Sequence, residues 1–246
     1  MGKYLKLFDT HTEYDAFTKT EDFILPNVSH CIDNNEVHYN PYVDPYNGHA
    51  YVDLGLPSGT KWATMNVGAT KPEEYGLYFA WGETQGYTAS QVGTDKQFSW
   101  DDYNHGTFHD ITKYNEADGK TMLELEDDAA NANWGGQWRM PTKEQCEELF
   151  NTTYVTNKWV TDYNDSGVNG RLFTSVSNGK TLFIPAAGYC DKGRVLEVNS
   201  IGQVFSSSLG STYNSGAYCI LFGNRGLPGV DTTARYCGQS VRPVVG

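Results

Sequence analysis

Trp134-Gly135-Gly136-Gln137-Trp138-Arg139-Met140-Pro141-Thr142 sets two glycines between tryptophans and ends on a proline and a capping threonine. Gly135-Gly136 predicts a tight turn, because residues without a Cβ reach backbone conformations closed to others. Pro141 and Thr142, with Gln145 three positions on, predict a capping box that opens a helix over Lys143–Phe150. Upstream, Leu123–Asn131 predicts a second helix, with Glu124, Glu126, Asp127 and Asp128 near its positive end. A carboxylate from Asp127 or Asp128 paired with Arg139 would hold the loop between the helices; calcium ligation is the competing role for the acids. Trp134 and Trp138, together with Trp62 and Trp81, are expected in the core.

Short β-prone runs surround this stretch at Tyr51–Leu54, Lys61–Met65, Gly76–Trp81, Arg171–Thr174, Thr181–Ile184, Arg194–Val198, Gln203–Ser206, Ala217–Phe222 and Ser240–Val244. Gly, Asn, Asp and Ser separate them. Two helices among many short strands and long loops give an α+β domain over residues 49–246. Residues 1–48 read as a small attachment or oligomerisation segment. It has a short helix over Thr10–Thr20, a hairpin of Val28–Ile32 with Glu36–Tyr39 around an Asp/Asn turn, and a Pro/Gly linker.

The 246 residues carry 26 Gly, 17 Tyr, 11 Phe and 6 Trp, a composition of ordered loops and strands rather than a helical bundle. The net charge of −12 argues against nucleic-acid backbones and anionic membranes as partners. No apolar run reaches the roughly 20 residues that cross a bilayer, and the first residues lack the apolar core of a secretory signal. Cysteines stand at 31, 146, 190, 219 and 237, an odd count without a C-x-x-C pair, and read as mostly unpaired thiols. From residue 201 onward Asp231 faces Arg225, Arg235 and Arg242, a net +2 that leaves −14 on the first 200 residues.

Several strings are more specific than composition explains: those at 51–63, 111–115, 123–130, 134–142 and 183–189, with Tyr78-Phe79-Ala80-Trp81-Gly82-Glu83 and Gly238-Gln239-Ser240-Val241-Arg242-Pro243-Val244. Over residues 50–246 they resemble the Fibrobacter succinogenes major paralogous domain of gut Bacteroidetes and their phages. The resemblance implies a C-type-lectin-like fold, related to that of formylglycine-generating enzymes. A shorter likeness over residues 27–41 is to openings of Bacteroides phage and surface structural proteins.

The C-terminal strings also look like the frame of a variable region in target proteins of diversity-generating retroelements, where randomised positions contact a receptor. Ser207, Ser208, Arg235, Gly238 and the Ser240–Val244 strand would be frame. Leu209, Ser211, Thr212, Tyr213, Asn214, Cys219, Leu221, Gly223, Asn224, Leu227, Val230, Asp231, Thr232, Thr233, Ala234, Tyr236 and Cys237 would be contacts. Alternation in a strand supports part of this set: with Tyr218, Ile220 and Phe222 inward, Cys219, Leu221 and Gly223 face outward. The alternative is a strand buried on both faces. Tyr, Ser, Gly and Asn recur over Ser206–Gly216, as they do in antibody paratopes.

Other chemistries find less support. His105 and His109 at i, i+4 could chelate a metal on a helix, but Asn104, Gly106 and Thr107 predict a loop. There is no G-x-S-x-G elbow and no cysteine beside a histidine in sequence. The calcium and sugar motifs of sugar-binding C-type lectins are missing, and no redox cysteine pair maps onto Cys190, Cys219 and Cys237. The expectation is a non-enzymatic, cofactor-free and metal-free receptor-binding protein. Its partner would be a bacterial cell-surface protein or glycan, and it would be a homo-oligomer on a phage tail or a bacterial surface. A fixed-specificity adhesin or lectin, and an enzyme of the formylglycine-generating type, are the alternatives.

Overall fold

The structure is a computed structural model that describes residues 30–33, 36–39, 47–226 and 228–246. The expected helix over Thr10–Thr20, most of the linker after Tyr39, and Leu227 lie outside them. The expected hairpin is present: β1 (His30–Asp33) pairs antiparallel with β2 (Glu36–Tyr39), His30 opposite Tyr39.

The main domain follows in chain order: β3 (Tyr51–Asp53), β4 (Lys61–Ala63), helix α1 (Ala129–Trp134), helix α2 (Lys143–Glu148) and β5 (Val155–Val160). Then come β6 (Gly170–Ser175), β7 (Thr181–Pro185), β8 (Tyr189–Asp191), β9 (Arg194–Leu196), β10 (Ile201–Leu209), β11 (Gly216–Gly223), β12 (Gly229–Ala234) and β13 (Val244–Val245). Their sheets are small: β10-β11-β12, β13-β4-β3, β5-β6-β7 and β8-β9. Every pairing within them is antiparallel. The class is α+β and rich in sheet.

Residues 238–245 stitch these sheets together. Gly238 bridges Cys190, Gln239 bridges Phe79, and Ser240 lies parallel to Val204. The Val67 and Ala63 amides donate to the carbonyls of Val241 and Pro243 at 3.0 and 2.9 Å. Val244 pairs with Trp62 and bridges Arg139. The expected strand over Ser240–Val244 is therefore a series of single bridges, regular only at Val244–Val245, because each residue serves a different neighbour. Gly238 is the tight point: a Cβ there would lie 2.7 Å from the Phe98 ring and 2.8 Å from Cys190.

Thr142 forms the capping box with Gln145. Gln145 also accepts from Arg139 Nη1 at 2.7 Å and donates to Thr60 Oγ1 at 2.6 Å, so this helix start anchors the turn before it. Thr142→Ala is expected to cost about 1 kcal/mol, measured by urea unfolding.

Three expectations change. Gly76–Trp81 is not a strand; Tyr78 and Phe79 make single bridges, and Gly76 and Gly82, at φ +73° and +80°, bend the chain on either side. The helix expected over Leu123–Asn131 splits into a 3₁₀ turn at Leu125–Asp127 and α1. Asp128 divides them, because its carboxylate accepts the Asn131 amide as an N-cap, which an interior helix position forbids. The pairing of Asp127 or Asp128 with Arg139 does not form. Asp128 is engaged by the amides of Asn131 and Met140, and Asp127 by Lys113 and Tyr114, while Arg139 turns to Gln145 and the Gly246 carbonyl.

Trp62, Trp81, Trp134 and Trp138 are all buried. The core has two large apolar clusters, and β11 lies between them. Ile220 and Phe222 enter the cluster with Trp62, Leu149 and Phe173; Ala217 and Cys219 enter the one with Trp81, Tyr114 and Trp138. The strand is covered on both faces. This corrects the outward reading of Cys219, which is 1% exposed.

Candidate functional site

The loop 210–215 between β10 and β11, the end of β12, and the segment 100–117 meet around two adjoining clefts. The first, of about 330 Å³, has Trp100, Phe108 and Tyr236 on one side and Thr232, Thr233 and Ala234 on the other, with Gly210 to Gly216 closing it. The second, of about 470 Å³, lies between Asp110, Asn115 and Glu116 and the Thr212–Ser215 stretch. Phe108, Thr212, Tyr213 and Ser215 belong to both. Phe108 and Tyr213 are the exposed aromatics there, at 57% and 74%. Trp100 joins the aromatic wall, edge-on to Phe108 at 5.9 Å and to Tyr236 at 5.1 Å between ring centroids.

Both clefts stand on one buried residue. Arg235 is fully buried at the turn after β12. Its guanidinium donates to Tyr103 Oη at 2.9 Å and to the carbonyls of Lys113, Tyr114 and Asn214 at 2.9, 3.2 and 3.0 Å. It lies 4.7 Å from the Trp81 ring and 5.4 Å from that of Tyr103. Its backbone amide donates to the Ser215 carbonyl at 3.0 Å. One side chain thus fixes the loop 210–215 to the opposite wall.

That wall has further braces. The Lys96 ammonium and Glu83 carboxylate are both buried, 2.8 Å apart, and Glu83 also accepts the Asn104 amide at 2.9 Å. Asp102 accepts the amides of Gln97 and Ser99. Burial pushes its carboxyl up, but those amides and Lys96 outweigh burial and hold it below the ordinary range. Asp118 closes the next turn by accepting the amides of Tyr114, Asn115 and Lys120.

Of the expected contacts, Thr212, Tyr213, Asn214, Thr232, Thr233, Ala234 and Tyr236 are brought together at the clefts. Ser211 is exposed on the same loop and bonds Tyr218 Oη at 2.7 Å. Asp231 is exposed on β12. Leu209 and Val230 instead pack against the core clusters. Leu221, Gly223 and Asn224 lie toward or beyond the far end of β11 from the loop. Cys237 is buried, as are the frame residues Ser207, Ser208, Arg235, Ser240 and Arg242. The sequence reading missed Trp100, Phe108, Ile111, Asn115 and Glu116. Their signal is an aromatic and acidic stretch, which by itself does not show that it faces the loop 210–215.

That metal chemistry does not assemble around the histidines. His105 Nε2 lies 2.8 Å from the Gly82 carbonyl, and Gly106 at φ +99° keeps the segment from being helical. Glu124, Glu126 and Asp127 converge closely enough to hold a cation. The Lys113 ammonium occupies their centre, at 3.2, 2.7 and 2.5 Å. These acids pair with an amine already built into the fold.

Cys146, Cys190, Cys219 and Cys237 are free and buried. Burial pushes the Cys219 thiol up to about 12 and the Cys237 thiol up to about 11, so both are held as neutral thiols at neutral pH. The +2 of the C-terminal segment does not reach the surface as such, since Arg235 and Arg242 are buried and Arg225 alone of its arginines is exposed. No family model matches the chain, and neither a curated protein nor a solved structure matches it.

Proposed function

We propose that the protein is a non-enzymatic binder that grips a bacterial surface through the double cleft, with the loop 210–215 and the end of β12 as its adaptable part. The observation that carries this reading is the contrast across the cleft rim. Exposed Tyr213 and Thr212 share their loop with Asn214 and Ser215, which the fully buried Arg235 bonds, and exposed Thr232 lies on the strand that leads into Arg235. Side chains that support little packing can change while the scaffold stays rigid. Tyr with Ser, Thr and Asn is also the chemistry by which paratopes make contact. The neutral, buried thiols weigh against the formylglycine-generating alternative, which needs reactive cysteines.

The setting we propose is a phage tail tip or fibre on a C-type-lectin-like scaffold, with a bacterial surface adhesin as the second reading. Several copies on one particle would turn weak single-site binding into firm attachment. If the C-terminal segment is diversified, a near-copy of the gene's 3′ end lies nearby, with mismatches confined to adenines. Those mismatches are expected in codons 211–215, 231–234 and 236, and to skip Cys219, Arg235 and Gly238. Sequencing the flanking DNA checks this, and mismatches concentrated in the buried codons would overturn the assignment.

The binding test uses the full chain on Bacteroides cells. Phe108→Ala and Tyr213→Ala are each expected to weaken attachment about tenfold or more, since exposed aromatics at a contact centre dominate binding. Their unfolding free energies should stay within about 0.5 kcal/mol of the parent. Undiminished attachment of both variants would remove the cleft from the function.

A further inference from the structure

We infer that the first cleft binds an uncharged sugar ring of a bacterial surface glycan, without a metal ion. This inference rests on the binding reading above and adds the ligand's chemistry.

The lining of that cleft holds no Asp, Glu, Lys, Arg or His. It offers two kinds of surface. Trp100, Phe108, Tyr213 and Tyr236 supply aromatic rings. Thr212, Ser215 and Thr232 supply hydroxyls whose side chains make no hydrogen bond among the described residues. A pyranose has the matching pair of surfaces: an apolar face of C–H groups that lies against an aromatic ring, and a rim of hydroxyls that both donate and accept. A volume of about 330 Å³ is at the small end of ligand sites, suited to one or two rings rather than a folded partner.

Charge narrows the choice. An ionic group in this cleft would lose water and meet no charged side chain on the lining. The adjoining cleft carries Asp110 and Glu116, and the whole chain is at −12, so sialic acids, uronic acids and phosphorylated glycans are repelled before contact. Among the described residues, the converging carboxylates of Glu124, Glu126 and Asp127 hold Lys113 and so leave a bridging metal no open position.

A peptide added to the edge of β12 is the competing occupant. The Thr232 amide already donates to the Asp231 carboxylate at 2.7 Å, which removes a donor that an added strand would need. The glycan needs no such edge.

The test has two parts. The full chain is first applied to an array of neutral and acidic glycans, with and without EDTA. Binding to at least one neutral glycan, unchanged by EDTA and weakened about tenfold in Phe108→Ala and Tyr213→Ala, is expected. Preference for acidic glycans, loss on chelation, or no neutral ligand would overturn the inference. The full chain is then applied to Bacteroides cells treated with periodate or with protease. Loss after periodate alone supports the sugar. Loss after protease alone overturns the sugar but leaves the binding function standing. Attachment to neither treated nor untreated cells, with the two variants indistinguishable from the parent, overturns both.

Discussion

Arg235→Ala is expected to lower the free energy of unfolding by about 3–5 kcal/mol, the combined cost of several acceptors left without their donor and of the space vacated. The side chain is fully buried, and all its hydrogen-bond partners are neutral. Alanine would leave the carbonyls of Lys113, Tyr114 and Asn214 and the hydroxyl of Tyr103 without their donor, the Tyr114 carbonyl and the Tyr103 hydroxyl in buried sites and the other two half-buried. A buried polar group left unpaired costs about 1–3 kcal/mol. The space vacated beside Trp81 adds a cavity term. Lysine is a poor replacement, because one compact ammonium cannot match a planar fork that reaches two chain segments at once. Arg235→Lys should therefore recover less than half of the loss. Urea unfolding measures the first effect. Amide exchange measures the second: protection should fall first in 210–216 and 113–114, the two segments the guanidinium joins. A loss under about 1 kcal/mol would show that the loop holds itself and that Arg235 is incidental to the cleft.

The same residue shows where the sequence was legible and where it was not. The start of α2 was readable because Thr142 and Gln145 are neighbours in the chain, and a capping box is a local device. The core of β6, β7 and β11 was readable because β-branched and aromatic residues cluster there. β12 was not, since Gly229-Val230-Asp231-Thr232-Thr233-Ala234 has almost no apolar alternation; it is held by its register against β11, from Gly216 opposite Ala234 to Leu221 opposite Gly229. Cys219 was misread because alternation tells which side chains share a face, not whether the other face is empty. Here it meets a second cluster.

The candidate site divided in the same way. Tyr213 stood out by the paratope-like composition of its own segment, and Thr232 and Tyr236 through the resemblance to a variable region. Trp100 and Phe108 could not, because only the fold brings a loop more than a hundred residues earlier against them. Arg235 and Arg242 made the C-terminal segment look basic, yet both are internal. Arg242 donates to Asn66 Oδ1 and the Ala63 carbonyl, and burial pushes it down to about 9. Counting charges along a chain gives no depth.

Lys96→Met is expected to cost about 3–5 kcal/mol, for a different reason. Lys96 and Glu83 are each buried, and the ammonium contacts both carboxylate oxygens, at 3.1 and 2.8 Å. It also donates to the Asp102 carbonyl. Methionine keeps the volume and removes the charge, so Glu83 is left with the Asn104 amide as its partner. An uncompensated buried carboxylate is far more costly than the pair was favourable, because taking it from water is no longer offset. The double variant Glu83→Leu with Lys96→Met should therefore be more stable than Lys96→Met alone, even though it carries one more change. Thermal unfolding of the parent, the two single variants and the double variant closes the cycle, and an interaction term above about 1 kcal/mol is expected for groups in contact. Additivity of the two single losses would mean that the pair is not coupled. The consequence for binding follows from position. Lys96 and Asp102 fix the turn that leads into Trp100, and Asn104 starts the run to Phe108. The Lys96→Met variant should lose attachment to cells along with stability, whereas Phe108→Ala loses attachment alone. Under the proposed binding function, that difference separates the wall that supports the cleft from the residues assigned to contact.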